Sequence, residues 1–192
     1  MFLTTKKPIK SLEHLNKNIN LIFLIGQSGS GKSLCGNLLS KKIEWEYYDT
    51  DTILISKHNK SIEEIFRERG EAFFRSEELS LIEDVIIKNQ VVVSTGGGLP
   101  EIEGVMSKIK KYGLVFWLKA SPEILLKRIE KSNRSHRPLL FKQQSTLSDN
   151  LERQLKSRYH LYEQSHYHIN TDDRPVKSIV EEIALLVRNH AS

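Results

Sequence analysis

Gly26-Gln27-Ser28-Gly29-Ser30-Gly31-Lys32-Ser33 fits G-x-x-x-x-G-K-[ST] at every fixed position, the pattern of a phosphate-binding P-loop. Glycines at 26, 29 and 31 free the backbone to turn its N–H groups inward, making a nest for phosphate oxygens where a following helix adds partial positive charge. Gly29, Ser30, Gly31, Lys32 and Ser33 are thus candidate nucleotide-binding residues, with Leu34 next in the chain. Lys32 is expected to reach the β and γ phosphates, and the Ser33 hydroxyl is a candidate Mg²⁺ ligand.

Three further groups carry chemistry. Asp49 and Asp51 flank Thr50 and read as two carboxylates on one face of an extended segment, since side chains alternate along a strand. One can hold Mg²⁺ through water while the other accepts a hydrogen bond from a substrate hydroxyl. Gly96-Gly97-Gly98 costs more conformational entropy than any other three residues would, so such a run makes sense where backbone must approach a ligand closely. Arg75, Arg137 and Arg158 lie far apart in the chain and suit anionic groups, because the guanidinium fork pairs bidentately with carboxylates and stays charged. The seven histidines show no metal-ligand spacing, with His166 and His168 reading as structural or solvated, and no Ser or Cys nucleophile has an evident base.

These residues need a frame. Strands are expected at 20–25, 46–48, 91–94, 114–118 and 166–170, and helices at 33–42, through 52–89 with a break at Gly70, at 101–111, 121–131, 147–164 and 176–189. Ser61 with Glu64 three residues on forms a capping box, and Ser121-Pro122 opens a helix well. Strands alternating with helices imply an α/β fold, a parallel sheet covered on both faces. The stretch 52–89 then forms a helical insertion, and Ser132 to Pro138 a polar, basic loop.

With 192 residues, 39% hydrophobic and 28% charged, the chain suits one soluble domain, and no apolar run is long enough to span a bilayer. The first 18 residues lack the apolar core of a signal peptide, so a cytoplasmic protein is expected. The single cysteine, Cys35, excludes an internal disulfide and a cysteine metal cluster, and reads as a buried structural thiol. The net charge of +5 is spread among acidic residues without an aromatic-basic platform, and an anionic small substrate explains it as well as nucleic acid does.

Taken together the chain resembles the shikimate kinases, small P-loop kinases built like the nucleoside monophosphate kinases. The resemblance runs from about Asn20 to Ala191 on five matches in order: GQSGSGKS, the DTD at 49–51, SIEEIFRERGEAFFRSEE, the GGG at 96–98, and RPLL at 137–140 followed by SRYHLYE. It implies a three-layer sandwich with a central five-stranded parallel sheet of P-loop NTPase type. It also implies an N-terminal extension over 1–18 and one kinase domain over 19–192, with a substrate-binding insertion at 52–89 and a lid at 132–146. The implied reaction moves the γ-phosphoryl of MgATP to the 3-hydroxyl of shikimate, on the route to chorismate and the aromatic amino acids.

On that resemblance Asp51 would bind the ring hydroxyls and help take the proton, and Asp49 would join Ser33 on one Mg²⁺. Arg75 and Arg158 would hold the shikimate carboxylate, Gly96, Gly97 and Gly98 would contact the substrate, and Phe66, Phe74 and Glu78 would wall the pocket. Lys32 and the lid residue Arg137 would act on the phosphates, and Arg174 before Pro175 would flank the adenine. Shikimate and ATP are then the partners of a monomer that engages neither nucleic acid nor membrane. The sequence departs from the family in carrying Leu34 where a threonine is usual, read as packing, and Glu130 where an adenine-stacking arginine is usual, with Arg128 and Arg134 nearby. A gluconate or cyclitol kinase, and a catalytically weak sensor of shikimate or ATP, are the alternatives.

Overall fold

Every residue of β1 (Leu21–Ile25) is buried, and the strand is hydrogen-bonded on both edges. The computed structural model describes residues 19–131 and 146–191. The expected N-terminal extension and all of the expected lid except residue 146, Arg137 included, lie outside the described residues. β2 (Glu46–Asp49), β3 (Val91–Ser94), β4 (Leu114–Lys119) and β5 (Tyr167–Asn170) complete a five-stranded sheet in the order β2-β3-β1-β4-β5, every pairing parallel.

The period-two alternation of strand side chains builds the two outer layers. Leu21, Phe23 and Ile25 join Val91, Val93, Val115 and Trp117 in one core, covered by α3 (Ile62–Val85) and α4 (Val105–Tyr112) through Ile82, Val85, Val105 and Ile109. Ile22 and Leu24 join Val92, Leu114, Phe116 and Ile169 on the opposite face. That face is covered by α1 (Lys32–Ile43) through Leu39 and by α7 (Val176–Ala191) through Ile179 and Ile183. This is the expected three-layer sandwich. Cys35 lies in the second core, where burial pushes its thiol up to about 11, consistent with a structural role.

Strand order reverses at β1, whose neighbours β3 and β4 lead away in opposite directions, so a crevice opens at its carboxyl end. The P-loop lies in that crevice. Between β2 and β3 the chain makes α2 (Thr50–His58) and α3, which share a small core of Leu54, Ile65, Phe66 and Phe74. Ser61 and Glu64 close the expected capping box, each side chain accepting from the other residue's backbone N–H, a device worth about 1 kcal/mol. Gly70, at φ 81° and ψ 170°, breaks α3 where the sequence places a break. Two further helices, α5 (Pro122–Lys131) and α6 (Leu147–Tyr162), pack together through Leu125, Ile129 and Leu151.

Two expectations are corrected. The helix expected over 101–111 begins only at Val105, because Gly104 at φ 76° interrupts the chain, and Leu99–Glu101 instead form one 3₁₀ turn after the glycine run. The segment 49–51 is not extended throughout: Asp49 ends β2 and caps α2, accepting from Thr52 N at 3.1 Å, and Asp51 already lies in the first helical turn. Among the described residues no helix is long and apolar enough to cross a membrane.

Candidate active site

The glycines of the P-loop take the conformations their spacing demands: Gly26, Gly29 and Gly31 have φ of 140°, 87° and 96°. A Cβ on Gly26 would also sit 2.6 Å from Leu118 O, so the loop is closed around β1 and β4 as well as strained for other residues. Lys32 is buried and its Nζ donates to Gly26 O at 2.8 Å and Gln27 O at 3.1 Å, which holds the ammonium across the loop. Ser94 Oγ, at the end of β3, donates to Lys32 O at 2.9 Å and ties the start of α1 to the sheet. Leu34 is 55% exposed, so the expectation that it replaces threonine for packing fails.

Ser33 Oγ donates to Asp49 Oδ2 at 2.6 Å, and Tyr47 OH reaches the same oxygen at 3.2 Å. Hydroxyl and carboxylate oxygen side by side form a hard donor pair of the kind Mg²⁺ takes from a protein when phosphates and water complete its shell. Among the described residues no group of three or more His, Cys, Asp or Glu could hold a metal by itself. Asp51, two residues after Asp49, is half-buried, its carboxyl ringed by protein. Burial pushes Asp51 up to about 6, the Asp49 charge adds to the rise, and Lys32 and Arg75 oppose it. A carboxylate there is mostly ionised at neutral pH yet close enough to it to accept a proton.

Arg75 and Arg158, on α3 and α6, converge. Both approach one oxygen, Glu101 Oε2, at 3.9 Å from Arg75 Nη2 and 2.8 Å from Arg158 Nη2. Arg75 is braced by Glu78 at 2.5 Å and Glu71 at 3.0 Å. Glu78 is fully buried, and burial pushes its carboxyl up to about 7 although Arg75 pulls it down. Phe66 and Phe74, with ring centroids 4.8 Å apart, close this side of the insertion.

The glycine run makes room for these side chains. A Cβ on Gly96 would collide with Glu78 Oε1 and lie 2.9 Å from Asp51 Oδ1, and one on Gly98 would collide with the Arg75 guanidinium. Gly96 N donates to Thr50 Oγ1 at 2.9 Å, which locks the run to the middle residue of the DTD. The close approach expected of these glycines is therefore, in this structure, an approach to the side chains that form the pocket.

Gln27, Gln154 and Tyr162 escaped the sequence reading. Gln27, a variable position of the P-loop pattern, is buried, and its side chain donates to Gln154 at 2.8 Å and accepts from Arg158 Nη1 at 3.1 Å. Tyr162 OH donates to Gly97 O at 2.7 Å. Gln154, Arg158 and Tyr162 recur every four residues and so share one face of α6, a spacing that was visible in the chain. Arg128 donates to Thr171 O at 2.7 Å and approaches Gly29 O at 3.5 Å. With Arg174 and Pro175 it lines a cavity of about 340 Å³. Arg174 is tied to Glu182 at 2.7 Å and to Asn170 O at 3.0 Å, so of the two arginines Arg128 is the one held against the loop. His166 is buried between strands, its Nδ1 accepting from Val115 N at 3.0 Å, in keeping with a structural role.

The model of the shikimate kinase family matches residues 28–188 of this chain. The chain belongs to the shikimate kinase family. A shikimate kinase of Clostridium botulinum (strain Loch Maree / Type A3) is 40% identical over 145 residues, 76% of this chain and 84% of the relative. Among solved structures, a shikimate kinase from Acinetobacter baumannii in complex with shikimate superposes with a TM-score of 0.83 at 29% identity, over 90% of this chain and 95% of the other. A gluconokinase from Sinorhizobium meliloti 1021, at 16% identity and a TM-score of 0.56 over 90% of this chain and 93% of the other, shares the fold alone. Members of the shikimate kinase family are ATP-dependent kinases that act on an alcohol group of shikimate, and this chain is such a kinase.

Proposed function

We propose that the chain transfers the γ-phosphoryl group of ATP to the 3-hydroxyl of shikimate through the residues just described. The observation that carries this reading is the meeting of Arg75 and Arg158 on one carboxylate oxygen, with Asp51 near enough to Arg75 and to the P-loop lysine Lys32 to feel both charges. Two guanidinium groups brought together from separate helices suit a substrate carboxylate, and Asp51 beyond them suits the hydroxyl that is to react.

In the step, the hydroxyl oxygen bonds to the γ-phosphorus, the bond to the bridging oxygen of the departing ADP breaks, and the hydroxyl proton passes to Asp51. Arg75 and Arg158 orient the ring, and Gly96 and Gly98 leave the room in which Glu78, Asp51 and Arg75 form the pocket beside it. Lys32 and the P-loop N–H groups stabilise charge on the phosphoryl oxygens, the largest task in a loose transition state. Ser33 and Asp49 would hold Mg²⁺, whose contribution when bound is to neutralise charge shared by the β and γ phosphates. Arg137 is assigned to the phosphates on the family resemblance. Arg128, Arg174 and Pro175 would flank the base of the nucleotide, a reading supported by the cavity they line.

A coupled ADP-release assay with MgATP tests the proposal, comparing shikimate with gluconate, quinate and no acceptor. Shikimate-dependent turnover is expected, and Asp51→Asn should lower kcat by about a hundredfold to ten-thousandfold, the range for loss of a general base. Preference for another acceptor would overturn the substrate assignment, and full activity of Asp51→Asn would overturn the assignment of the base.

A further inference from the structure

Arg158 offers a carboxylate only a few donors, and their present use is informative. Its Nη1 edge is spent on Gln27 at 3.1 Å and Gln154 at 3.3 Å. Its Nη2 is held by Glu101 at 2.8 Å. Its Nε is buried and has no hydrogen-bond partner among the described residues. A carboxylate that grips a guanidinium with two parallel hydrogen bonds must use Nη2 together with either Nε or Nη1. Both edges share Nη2, where Glu101 already takes one of the two N–H groups, so a carboxylate on either edge lies against Glu101.

Glu101 ends the 3₁₀ turn that follows the glycine run, and its side chain is 36% exposed, the most exposed member of the trio it forms with Arg75 and Arg158. The carboxylate itself reaches toward both arginines, the arrangement expected of a bound acid. Arg75 has two other carboxylate partners, Glu71 and Glu78, so Glu101 is not needed to neutralise it. Arg158 has Glu101 as its only carboxylate partner among the described residues.

We propose that Glu101 is an internal carboxylate that sits on the substrate-carboxylate donors of Arg158 and must be displaced by the incoming acid. The inference rests on the reading of Arg75 and Arg158 as carboxylate ligands. Glu101 thereby sets specificity: an anionic substrate replaces one carboxylate by another and loses no charge pairing, whereas a neutral analogue would leave Arg158 on Glu101 and the pocket blocked. With Glu101 in place, Arg158 also keeps a neutralising partner before substrate arrives, which limits the cost of burying its charge. The cost falls on affinity, because substrate has to compete with a tethered rival.

The test compares wild type, Glu101→Gln and Glu101→Asp in the ADP-release assay and in direct binding of shikimate and of its uncharged carboxamide. Glu101→Gln keeps the shape and removes the competing charge. It should lower the KM and the Kd for shikimate about fivefold, the upper end for a partly exposed ion pair, with the effect on KM exceeding that on kcat. Binding of the carboxamide, which cannot displace a charged Glu101 by exchange, should rise more, which narrows the acid-over-amide preference, and the shorter Glu101→Asp should fall between wild type and Gln. A Glu101→Gln variant whose KM for shikimate is unchanged or raised, while wild type phosphorylates shikimate, would overturn the proposal and make Glu101 a support for Arg158 instead. If wild type does not use shikimate at all, the underlying reading of the two arginines fails.

Discussion

Adding one methyl group at Gly98 separates the role of space from the role of backbone conformation in the glycine run. Gly98 has φ −93° and ψ −3°, which any L-residue adopts, so Gly98→Ala introduces no backbone strain. Its Cβ, however, would overlap Arg75 Nη2 and lie 2.8 Å from both Cζ and Nη1. Arg75 is not free to drift, because Glu78 holds it at 2.5 Å and Glu71 at 3.0 Å. Either the guanidinium moves off these partners or the turn shifts, and crowding of this kind costs about 1–3 kcal/mol. For a domain of this size that is a fall in melting temperature of roughly 2–10 °C. The larger effect should be on substrate. Losing one charged hydrogen bond to a carboxylate is worth about 1.5–3 kcal/mol, or roughly a tenfold to hundredfold rise in the KM for shikimate. Gly97→Ala is the comparison, since its Cβ would meet nothing nearer than 3.5 Å. Thermal melting and steady-state kinetics on both variants decide the matter. If Gly98→Ala melts with wild type and matches Gly97→Ala in KM, the reasoning that the run clears space for Arg75 is refuted.

Two further outcomes follow from groups whose ionisation the fold shifts. Asp51, pushed up to about 6, must be ionised to take a proton, so kcat/KM for shikimate should level off above pH 7 and fall as pH drops through 6. Glu78, pushed up to about 7, titrates nearby, so the limb belongs to Asp51 only if the residual activity of Asp51→Asn lacks it. A wild-type limb centred near 4 would contradict the assignment. His166 is pushed down to about 4 by burial, while in the unfolded chain it titrates near its ordinary 6.5. The unfolded state therefore takes the proton first. The stability tied to the neutral ring is present in full above pH 6.5 and is lost as pH falls toward 4, by about 2–3 kcal/mol. Urea unfolding at pH 7.5 and 4.5 should show wild type losing that much more than His166→Gln, and equal losses would disprove the account.

Much of the site was legible because its residues act through type and spacing within short segments. The P-loop needs glycines at fixed offsets and a lysine and serine at its end, and Gly26 to Ser33 meet that need whatever surrounds them. The apolar runs at 21–25, 91–93 and 114–118 announced buried parallel strands, and their alternation divides the two cores. Ser61, Glu64 and Gly70 marked the insertion's helices for equally local reasons. Asp49 and Asp51 were identified, but the geometry assigned to them was wrong, since an aspartate at a strand end caps a helix as readily as it continues a strand.

What only the tertiary structure decided is who meets whom. Gln27 with Arg158 and Arg128 with Gly29 are contacts across more than ninety residues, and their geometry depends on how α5 and α6 dock against the sheet. Glu101 shows the limit most clearly. Its sequence neighbours suggest one more surface carboxylate on a short helix, and it became a partner of two arginines because Gly104 delays that helix and the 3₁₀ turn leaves the side chain within reach of both. Sequence therefore determined the chemistry that local backbone conformation carries, from phosphate nest to capped helix. The pairing of charges from separate elements was left to the packing of the sheet and its helices, because Coulomb interactions and hydrogen bonds depend on distances that chain spacing does not encode.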